Sequence, residues 1–239
     1  EIIQNALSKL NPDWRDEQIS TTRQFTLADA FDSISKNVKY VQELVDKNTS
    51  LVSVSKFDIQ DLQFLKFLSE FVKDEKKSLR DDTILTLDIH EDVKEQMNNQ
   101  VIIKGNPQKL RIVLINLLDN AKNHAFTNKD QSNKINIEIL PFTANEQEAS
   151  YFNYDIDGRK SYVEVKVSNT GLPFPKDFTL KDYVRKNFAA GNTANKGLGG
   201  YEVNEILKAH NDGKKALNII SNKDNLEYSS TVSFIIPLI

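Results

Sequence analysis

The stretch Asn116-Leu-Leu-Asp-Asn120-Ala-Lys-Asn-His124 places a row of polar side chains along one side of an otherwise apolar helix. An α-helix turns by about 100° per residue, so positions 116, 120 and 124 form one stripe that drifts by only about 40° at each step. The leucine and alanine side chains between them supply the side that faces a core. A stripe of this kind predicts a helix that lines a polar ligand, although asparagines that merely cap or face water produce the same spacing.

The helix that carries this stripe has a clear start at Asn106-Pro107. An asparagine side chain can accept a hydrogen bond from the free amides of the first turn, and proline fits the first helical position without losing a needed donor. We therefore predict a helix over 107–126.

Two later segments have the features of a nucleotide site. Residues 163–175, Val-Glu-Val-Lys-Val-Ser-Asn-Thr-Gly-Leu-Pro-Phe-Pro, alternate as a strand does and then enter a loop. Residues 195–201, Asn-Lys-Gly-Leu-Gly-Gly-Tyr, place three glycines at the start of a helix predicted at about 199–210. Glycines allow the backbone to approach a phosphate closely, and the start of a helix supplies free N–H groups.

In their order along the chain, these three segments resemble the N, G1 and G2 boxes of the ATP-binding domain shared by sensor histidine kinases, gyrase-type ATPases, Hsp90 chaperones and MutL mismatch-repair proteins. Tyr183-Val-Arg185 and Phe188 fall where the kinases carry the aromatic and basic residues of a mobile ATP lid. Residues 203–213 resemble the helix and glycine turn that follow the G2 box. The resemblance covers roughly residues 80–239, about two thirds of the chain.

The resemblance implies a catalytic role for Asn116, Asn120 and His124. Asn120 matches the magnesium-binding asparagine of the family, and an amide oxygen suits a hard cation that otherwise takes phosphate oxygens and water. Asn116 stands where the ATP hydrolases of the family carry a water-activating glutamate, and an amide cannot act as that base. His124 matches a position that presents a basic side chain to the phosphates, although a histidine in a last helical turn can instead interact with the helix dipole.

The G1 box implies the adenine contacts. Asn169 occupies the place of the family's aspartate, so a neutral hydrogen bond of about 1 kcal/mol to the adenine amino group replaces a charge-assisted one of about 1.5–3 kcal/mol. Gly171 is retained, whereas Pro173 replaces the second glycine and stiffens the loop. Ser230 matches a hydroxyl residue on a late strand that supports adenine through water.

The G2 box and the lid imply the phosphate contacts. The phosphate-binding backbone is expected at Gly197, Leu198, Gly199 and Gly200. Asn195 replaces the first glycine of the kinase box, and Gly200 replaces the leucine that usually follows the box. Among the lid cations between about 175 and 196, Arg185 and Lys196 match by position.

Periodicity outside the boxes predicts an α+β fold. Apolar alternation predicts strands near 84–89, 101–103, 135–139, 161–168, 215–221 and 229–237. Strands interleaved with two or three helices indicate a two-layer α/β sandwich, with a mostly antiparallel sheet and helices on one face. The resemblance implies that it is a Bergerat-type ATP-binding domain, which we place at 79–239. The polar segment 141–160 is expected to be a surface hairpin.

Residues 1–78 are predicted to form a separate helical region. A heptad spacing runs through Leu27, Phe31, Ile34, Val38, Val41 and Val45. This spacing argues for a helix that packs on another helix, in its own chain or in a partner. Residues 61–72 predict a short buried helix, followed by a charged break at 73–82. We expect a dimerisation hairpin and a homodimer, and a helix packed within its own domain is the alternative.

Composition limits the other partners. The net charge is −3, with 31 basic and 34 acidic residues well mixed, so no nucleic acid is expected. The chain has no cysteine, which excludes disulfides and thiolate metal sites and fits a reducing compartment. No apolar run approaches the about 18–20 residues of a membrane helix. We expect no membrane contact in 1–239 and a cytoplasmic location, including the cytoplasmic part of a membrane-bound sensor.

The histidines bear on the function. His90 lies in a predicted strand, His124 in the N box and His210 at the end of the predicted helix 199–210, so none lies on the heptad helix. A sensor histidine kinase passes the γ-phosphoryl group of ATP to a histidine. We therefore predict that the acceptor lies either in a part of the protein outside residues 1–239, which we favour, or on another chain, with ATP, Mg²⁺ and a response regulator as partners.

Three other functions remain open on the sequence. One is a scaffold built on the heptad helix, which leaves the three boxes unexplained. A degenerate nucleotide-binding sensor that transfers nothing is indicated by Asn169, Pro173 and Asn195. A gyrase- or Hsp90-like ATPase is disfavoured by the absence of a glutamate at position 116.

Overall fold

The computed structural model describes residues 18–20, 25–27, 31, 34, 58–79, 82–96, 101–126, 133–186, 198–221 and 227–239. The chain divides into two compact units, Glu1–Ser55 and Lys56–Ile239. In the first unit, strand β1 (Gln18–Ser20) pairs antiparallel with strand β2 (Phe25–Thr26).

The predicted heptad helix lies partly within the described residues. Leu27, Phe31 and Ile34 are helical, and the Ile34 side chain is 57% exposed. The later heptad positions, Val38, Val41 and Val45, lie outside the described residues. The pairing of this helix and the homodimer therefore stay predictions.

The second unit combines a five-stranded sheet with helices. Its strands are β3 (Gln60–Gln63), β4 (Thr83–Ile89), β5 (Ile102–Gly105), β6 (Asn133–Phe142), β7 (Tyr162–Asn169), β8 (Leu217–Ser221) and β9 (Ser230–Pro237). Its helices are α1 (Phe64–Lys76), α2 (Glu91–Gln96), α3 (Pro107–Asn120), α4 (Glu146–Tyr151), α5 (Leu180–Tyr183) and α6 (Gly199–His210). A single π-helical turn, Ala121–Ala125, follows α3.

The sheet is mixed and mostly antiparallel. Its strand order is β4-β6-β7-β9-β8, in which β4 and β6 are parallel and every other pair is antiparallel. Strands β3 and β5 form a separate antiparallel ribbon. This topology confirms the predicted α+β fold. Within the described residues, no helix is long and apolar enough to cross a membrane.

The core joins the sheet to the helices. On β6, Ile135, Ile137 and Ile139 are fully buried, and Val165 and Val167 are register partners of the last two on β7. A period of two along the strands and about 3.6 along the helices brings these apolar faces together. The buried residues of α3 are Leu110, Val113, Leu114, Asn116, Leu117 and Leu118.

The segment before β4 differs from the expectation. The helix predicted at 61–72 begins at Phe64, after strand β3, and continues to Lys76, which is inside the predicted charged break at 73–82. Helix α1 is amphipathic, because it buries only Phe64, Leu65, Leu68, Phe71 and Val72. It contacts β4 and belongs to the unit that starts at Lys56, whereas the sequence analysis grouped it with residues 1–78.

The segment 141–160 is also more structured than a polar surface hairpin. Strand β6 extends to Phe142, and a capping box at Asn145 and Glu148 starts α4. Tyr154 is 1% exposed, and its hydroxyl lies 2.9 Å from Glu164 Oε1 and 2.6 Å from Ser233 Oγ. The insert therefore covers part of the sheet rather than only extending into solvent.

Candidate functional site

Helices α3 and α6 are joined at one end by a buried histidine. The Asn106 side chain accepts a hydrogen bond from Lys109 N (2.9 Å), as a cap should. The Asn106 backbone N–H donates to His210 Nε2 (3.0 Å), and His210 Nδ1 lies 2.8 Å from Ile206 O. Burial lowers the pKa of His210. The neutral ring, with its proton on Nδ1, satisfies both partners.

Asn116 lies at the α3–α6 contact and is 5% exposed. Its Nδ2 donates to Ile112 O (3.1 Å) and to Glu202 Oε2 (3.2 Å). Gly199 lies beside the oxygen of the same amide. A Cβ added to Gly199 would be 3.2 Å from Asn116 Oδ1. Within the described part of the chain, no group donates to that oxygen.

Asn120 lies one turn further along the same stripe. Its Nδ2 donates to the Tyr183 hydroxyl at 2.9 Å. Tyr183 is in α5, within the predicted lid, and burial raises the pKa of its phenol. This bond connects the first half of the lid to the N box.

The π-helical turn Ala121–Ala125 follows Asn120 at the end of the stripe. It puts Ala125 O where it accepts a hydrogen bond from Leu172 N (3.0 Å) in the loop after β7. Gly171 has a φ of +99°, and a Cβ there would overlap Ala125 O. Only glycine fits this contact without strain. The side chain of His124 lies outside the described residues, so its role stays a prediction.

The G1 residues gather at one end of β7 and β9. Asn169 and Ser230 are register partners, and Ser230 Oγ donates to Leu172 O at 3.4 Å. The Asn169 amide donates through Nδ2 to Thr170 O at 2.8 Å, which leaves Oδ1 on the other side. The structure therefore brings Asn169, Gly171 and Ser230 together, and their contact with adenine stays a prediction.

Residues 198–200, the described part of the expected G2 box, pack tightly against Tyr183 in the predicted lid. Leu198 is the N-cap of α6 and makes no side-chain cap. A Cβ at Gly200 would overlap Tyr183 O, so the lid backbone lies where a larger side chain would have to stand. Arg185 is exposed just after α5, and Lys186 Nζ lies 5.6 Å from the Tyr201 ring centroid. Lys196 and Gly197 lie outside the described residues.

Two partners of the stripe were missed by the sequence analysis. Glu202 is 3% exposed although it is acidic, and it shares the buried face of α6 with Val203, Ile206 and Leu207. A charged residue inside an apolar stripe was the available signal. The hydroxyl of Tyr183 gave no such signal, because its partner is 63 residues away.

Comparisons with known proteins identify the fold. No protein-family model and no curated protein matches the sequence. The mycobacterial sensor histidine kinase MprB is similar in structure, with a TM-score of 0.52, 11% identity, and coverage of 75% of this chain and 97% of that one. The Acinetobacter baumannii histidine kinase AdeS is also similar in structure. Its TM-score is 0.53 at 17% identity, and the match covers 87% of this chain and 83% of that one.

A third similar structure is that of full-length ShkA in complex with AMPPNP. Its TM-score is 0.60 at 11% identity, and the match covers 99% of this chain but only 44% of ShkA. At such low identities the comparison defines the fold. The chain has the fold of histidine kinase catalytic domains, and the expected Bergerat-type class is confirmed.

Proposed function

We propose that the chain contains the ATP- and Mg²⁺-binding catalytic domain of a two-component sensor histidine kinase. The observation that carries this proposal is the orientation of the Asn116 and Asn120 side-chain amides. Asn116 and Asn120 both have their amide nitrogens bound to protein groups, so their amide oxygens are left as acceptors one helical turn apart.

The residues present fit a magnesium ion. Mg²⁺ takes oxygen ligands and keeps several waters and phosphate oxygens, so one or two neutral amide oxygens suffice on the protein side. Asn120 would hold the ion, with Asn116 beside it. When bound, the ion neutralises charge on the phosphates.

The remaining contacts follow the three boxes. The residues 197–200 at the start of α6 would bind the phosphates through backbone N–H groups, with Arg185, Lys196 and His124 as nearby cations. Asn169 would accept from the adenine amino group through Oδ1, because its Nδ2 is already bound to Thr170 O. Gly171 and Ser230 would support the base.

Phosphoryl transfer by such a site depends on positioning and charge compensation rather than on a strong base. The γ-phosphoryl group would pass to a histidine outside residues 1–239, and from there to a response regulator. His210 is buried between helices and His90 follows β4. Neither lies on a helical stalk. A cytoplasmic, dimeric enzyme is the corresponding proposal for the whole protein.

A nucleotide-binding sensor without transfer is the second candidate. It is favoured by the tight packing of Tyr183 against Gly200 and Asn120, which couples the predicted lid directly to two residues of the expected nucleotide site. The ATPase hypothesis would need a carboxylate that activates water. Asp119 is next to the stripe and is paired with Lys122 at 3.7 Å.

Calorimetric titration of ATP and ADP, with Mg²⁺ and with EDTA, tests the site. We expect Mg²⁺-dependent micromolar binding by the wild type and loss of the Mg²⁺ dependence in Asn120→Ala. Asn123→Ala is the matched control, because Asn123 lies in the same segment but is exposed. Absence of nucleotide binding by the wild type would refute the proposal.

Labelled ATP then separates the candidates. Acid-labile, alkali-stable phosphate on a histidine of the full-length protein supports the kinase. Binding without transfer supports the sensor. Phosphate release that Asp119→Asn abolishes would instead support the ATPase.

A further inference from the structure

A buried carboxylate stands next to the stripe although none of the three boxes accounts for it. Glu202 lies on the first turns of α6, is 3% exposed, and faces α3. Burying a carboxylate is costly unless hydrogen bonds compensate for the lost water. Here the Asn116 amide donates to Glu202 Oε2 at 3.2 Å.

The partners of Asn116 fix the direction of its amide. Its two hydrogen-bond partners on that side are a backbone carbonyl, Ile112 O, and the carboxylate of Glu202. Neither group can donate a hydrogen bond in this form. If the amide turned over, Oδ1 would face two oxygens and both hydrogen bonds would be lost. Glu202 therefore holds Nδ2 toward itself and Oδ1 away.

The oxygen that is held away lies next to the start of α6. A Cβ added to Gly199 would be 3.2 Å from Asn116 Oδ1, so only a glycine leaves this side of the amide open. No hydrogen bond to this oxygen is made by any residue in the described ranges. It remains an acceptor at the place where the phosphates would bind.

We propose that Glu202 is a positioning residue, whose carboxylate holds the Asn116 amide so that its oxygen faces the magnesium ion of a bound nucleotide. The inference rests on the proposed function and adds the residue that orients the first member of the stripe. Groups that orient metal ligands typically change metal affinity by about 10–100-fold when they are removed.

The test measures the gain in ADP affinity that Mg²⁺ provides, as the ratio of the Kd in EDTA to the Kd in Mg²⁺. Titration calorimetry compares the wild type with Glu202→Met, which keeps the length of the side chain but accepts no comparable hydrogen bond. We expect the Mg²⁺ gain to fall about tenfold. The Kd in EDTA should stay within about twofold, because the adenine contacts are untouched.

Two further variants make the test specific. Glu202→Gln should retain most of the gain, because its carbonyl oxygen can accept from Asn116 Nδ2. Glu205→Met is the matched control, since Glu205 lies on the same helix, is half-buried, and bonds Asn204 and Lys208 instead. It should leave both affinities unchanged.

Several results would overturn the inference. An unchanged Mg²⁺ gain in Glu202→Met, equal losses with and without Mg²⁺, or a failure of Glu202→Gln to retain the gain would each do so. Loss of phosphate release with an intact Mg²⁺ gain would identify Glu202 as a base instead. A wild type that binds no nucleotide would overturn the proposed function and this inference together.

If Glu202→Met does not fold, Gly199→Ala tests the same oxygen from the other side. The added methyl group would crowd Asn116 Oδ1, so the Mg²⁺ gain should fall. An unchanged gain in that variant would contradict the inference.

Discussion

At the scale of single residues, the candidate site depends on which atom of each asparagine amide, Nδ2 or Oδ1, already makes a hydrogen bond within the protein. Asn116, Asn120 and Asn169 all donate through Nδ2 to a neighbouring oxygen. The sequence selects these three residues as candidates through their resemblance to the N and G1 boxes. It could not select their partners, because Glu202 and Tyr183 reach α3 from elements that are 86 and 63 residues away.

The amide of Asn169 gives the first prediction. Asn169→Asp would place a carboxylate oxygen against Thr170 O, where Nδ2 now donates at 2.8 Å. We expect a loss of about 1 kcal/mol in the free energy of unfolding, measured by urea denaturation without nucleotide. Asn123→Asp, at an exposed position, is the control. Equal stability of Asn169→Asp and the wild type would contradict the assigned amide orientation.

At the scale of elements, periodicity predicted the five strands of the main sheet and the helices α3 and α6. Their apolar residues repeat over enough positions to define a period. Strand β3 was missed because it has only four residues and joins an apolar helix directly. The π-helical turn was missed because it depends on a long-range contact, between Ala125 O and Leu172 N.

The contact between the π-helical turn and the G1 loop gives the second prediction. Gly171→Ala adds a Cβ at a φ of +99° and in the space of Ala125 O. Gly213→Ala is the control, because its φ is +79° but nothing lies within 4 Å of the added atom. We expect about 1 kcal/mol of destabilisation for the control, and clearly more for Gly171→Ala, by urea denaturation. Equal losses would show that the contact does not constrain the loop.

The junction of α3 and α6 gives the third prediction, which concerns pH. Burial lowers the pKa of His210 below the value of about 6.5 expected in the unfolded chain. The unfolded state then binds a proton at a higher pH than the folded state does. The stability contributed by neutral His210 is complete above pH 6.5 or so and is lost as the pH falls toward the folded pKa, by at most about 1.4 kcal/mol per unit.

Urea denaturation between pH 7.5 and 5 measures this dependence. The wild type should lose more stability across this range than His210→Gln does. His90→Gln, at an exposed position, is the control for the replacement of a histidine by glutamine. If His210→Gln retains the full dependence, other groups cause it.

At the scale of the whole molecule, the described fold needs α1. This helix buries five apolar side chains in the same core as the sheet. A fully buried side chain of this size contributes about 1.5–3 kcal/mol, and a domain is stable by only about 5–15 kcal/mol. The unit that contains the five-stranded sheet should therefore begin near Lys56 rather than at residue 79.

Two truncations give the fourth prediction. A protein of residues 56–239 should unfold cooperatively, with the same free energy of unfolding for this unit as in the whole chain. A protein of residues 79–239, which lacks α1, should be largely unfolded by circular dichroism. Cooperative unfolding of the shorter protein would contradict the assignment of α1 to this core.

The close packing at Gly200 has a consequence for how this part of the sequence can vary. In the resembling kinases a leucine follows the G2 box, and here the Tyr183 carbonyl takes that space. A leucine side chain at position 200 alone would collide with the Tyr183 carbonyl. A shift of the Tyr183 backbone alone would leave a gap beside Gly200. A larger side chain at position 200 is therefore expected to require a compensating change in the backbone around Tyr183. Homologous sequences should show residue 200 and the lid segment around 183 varying as a pair.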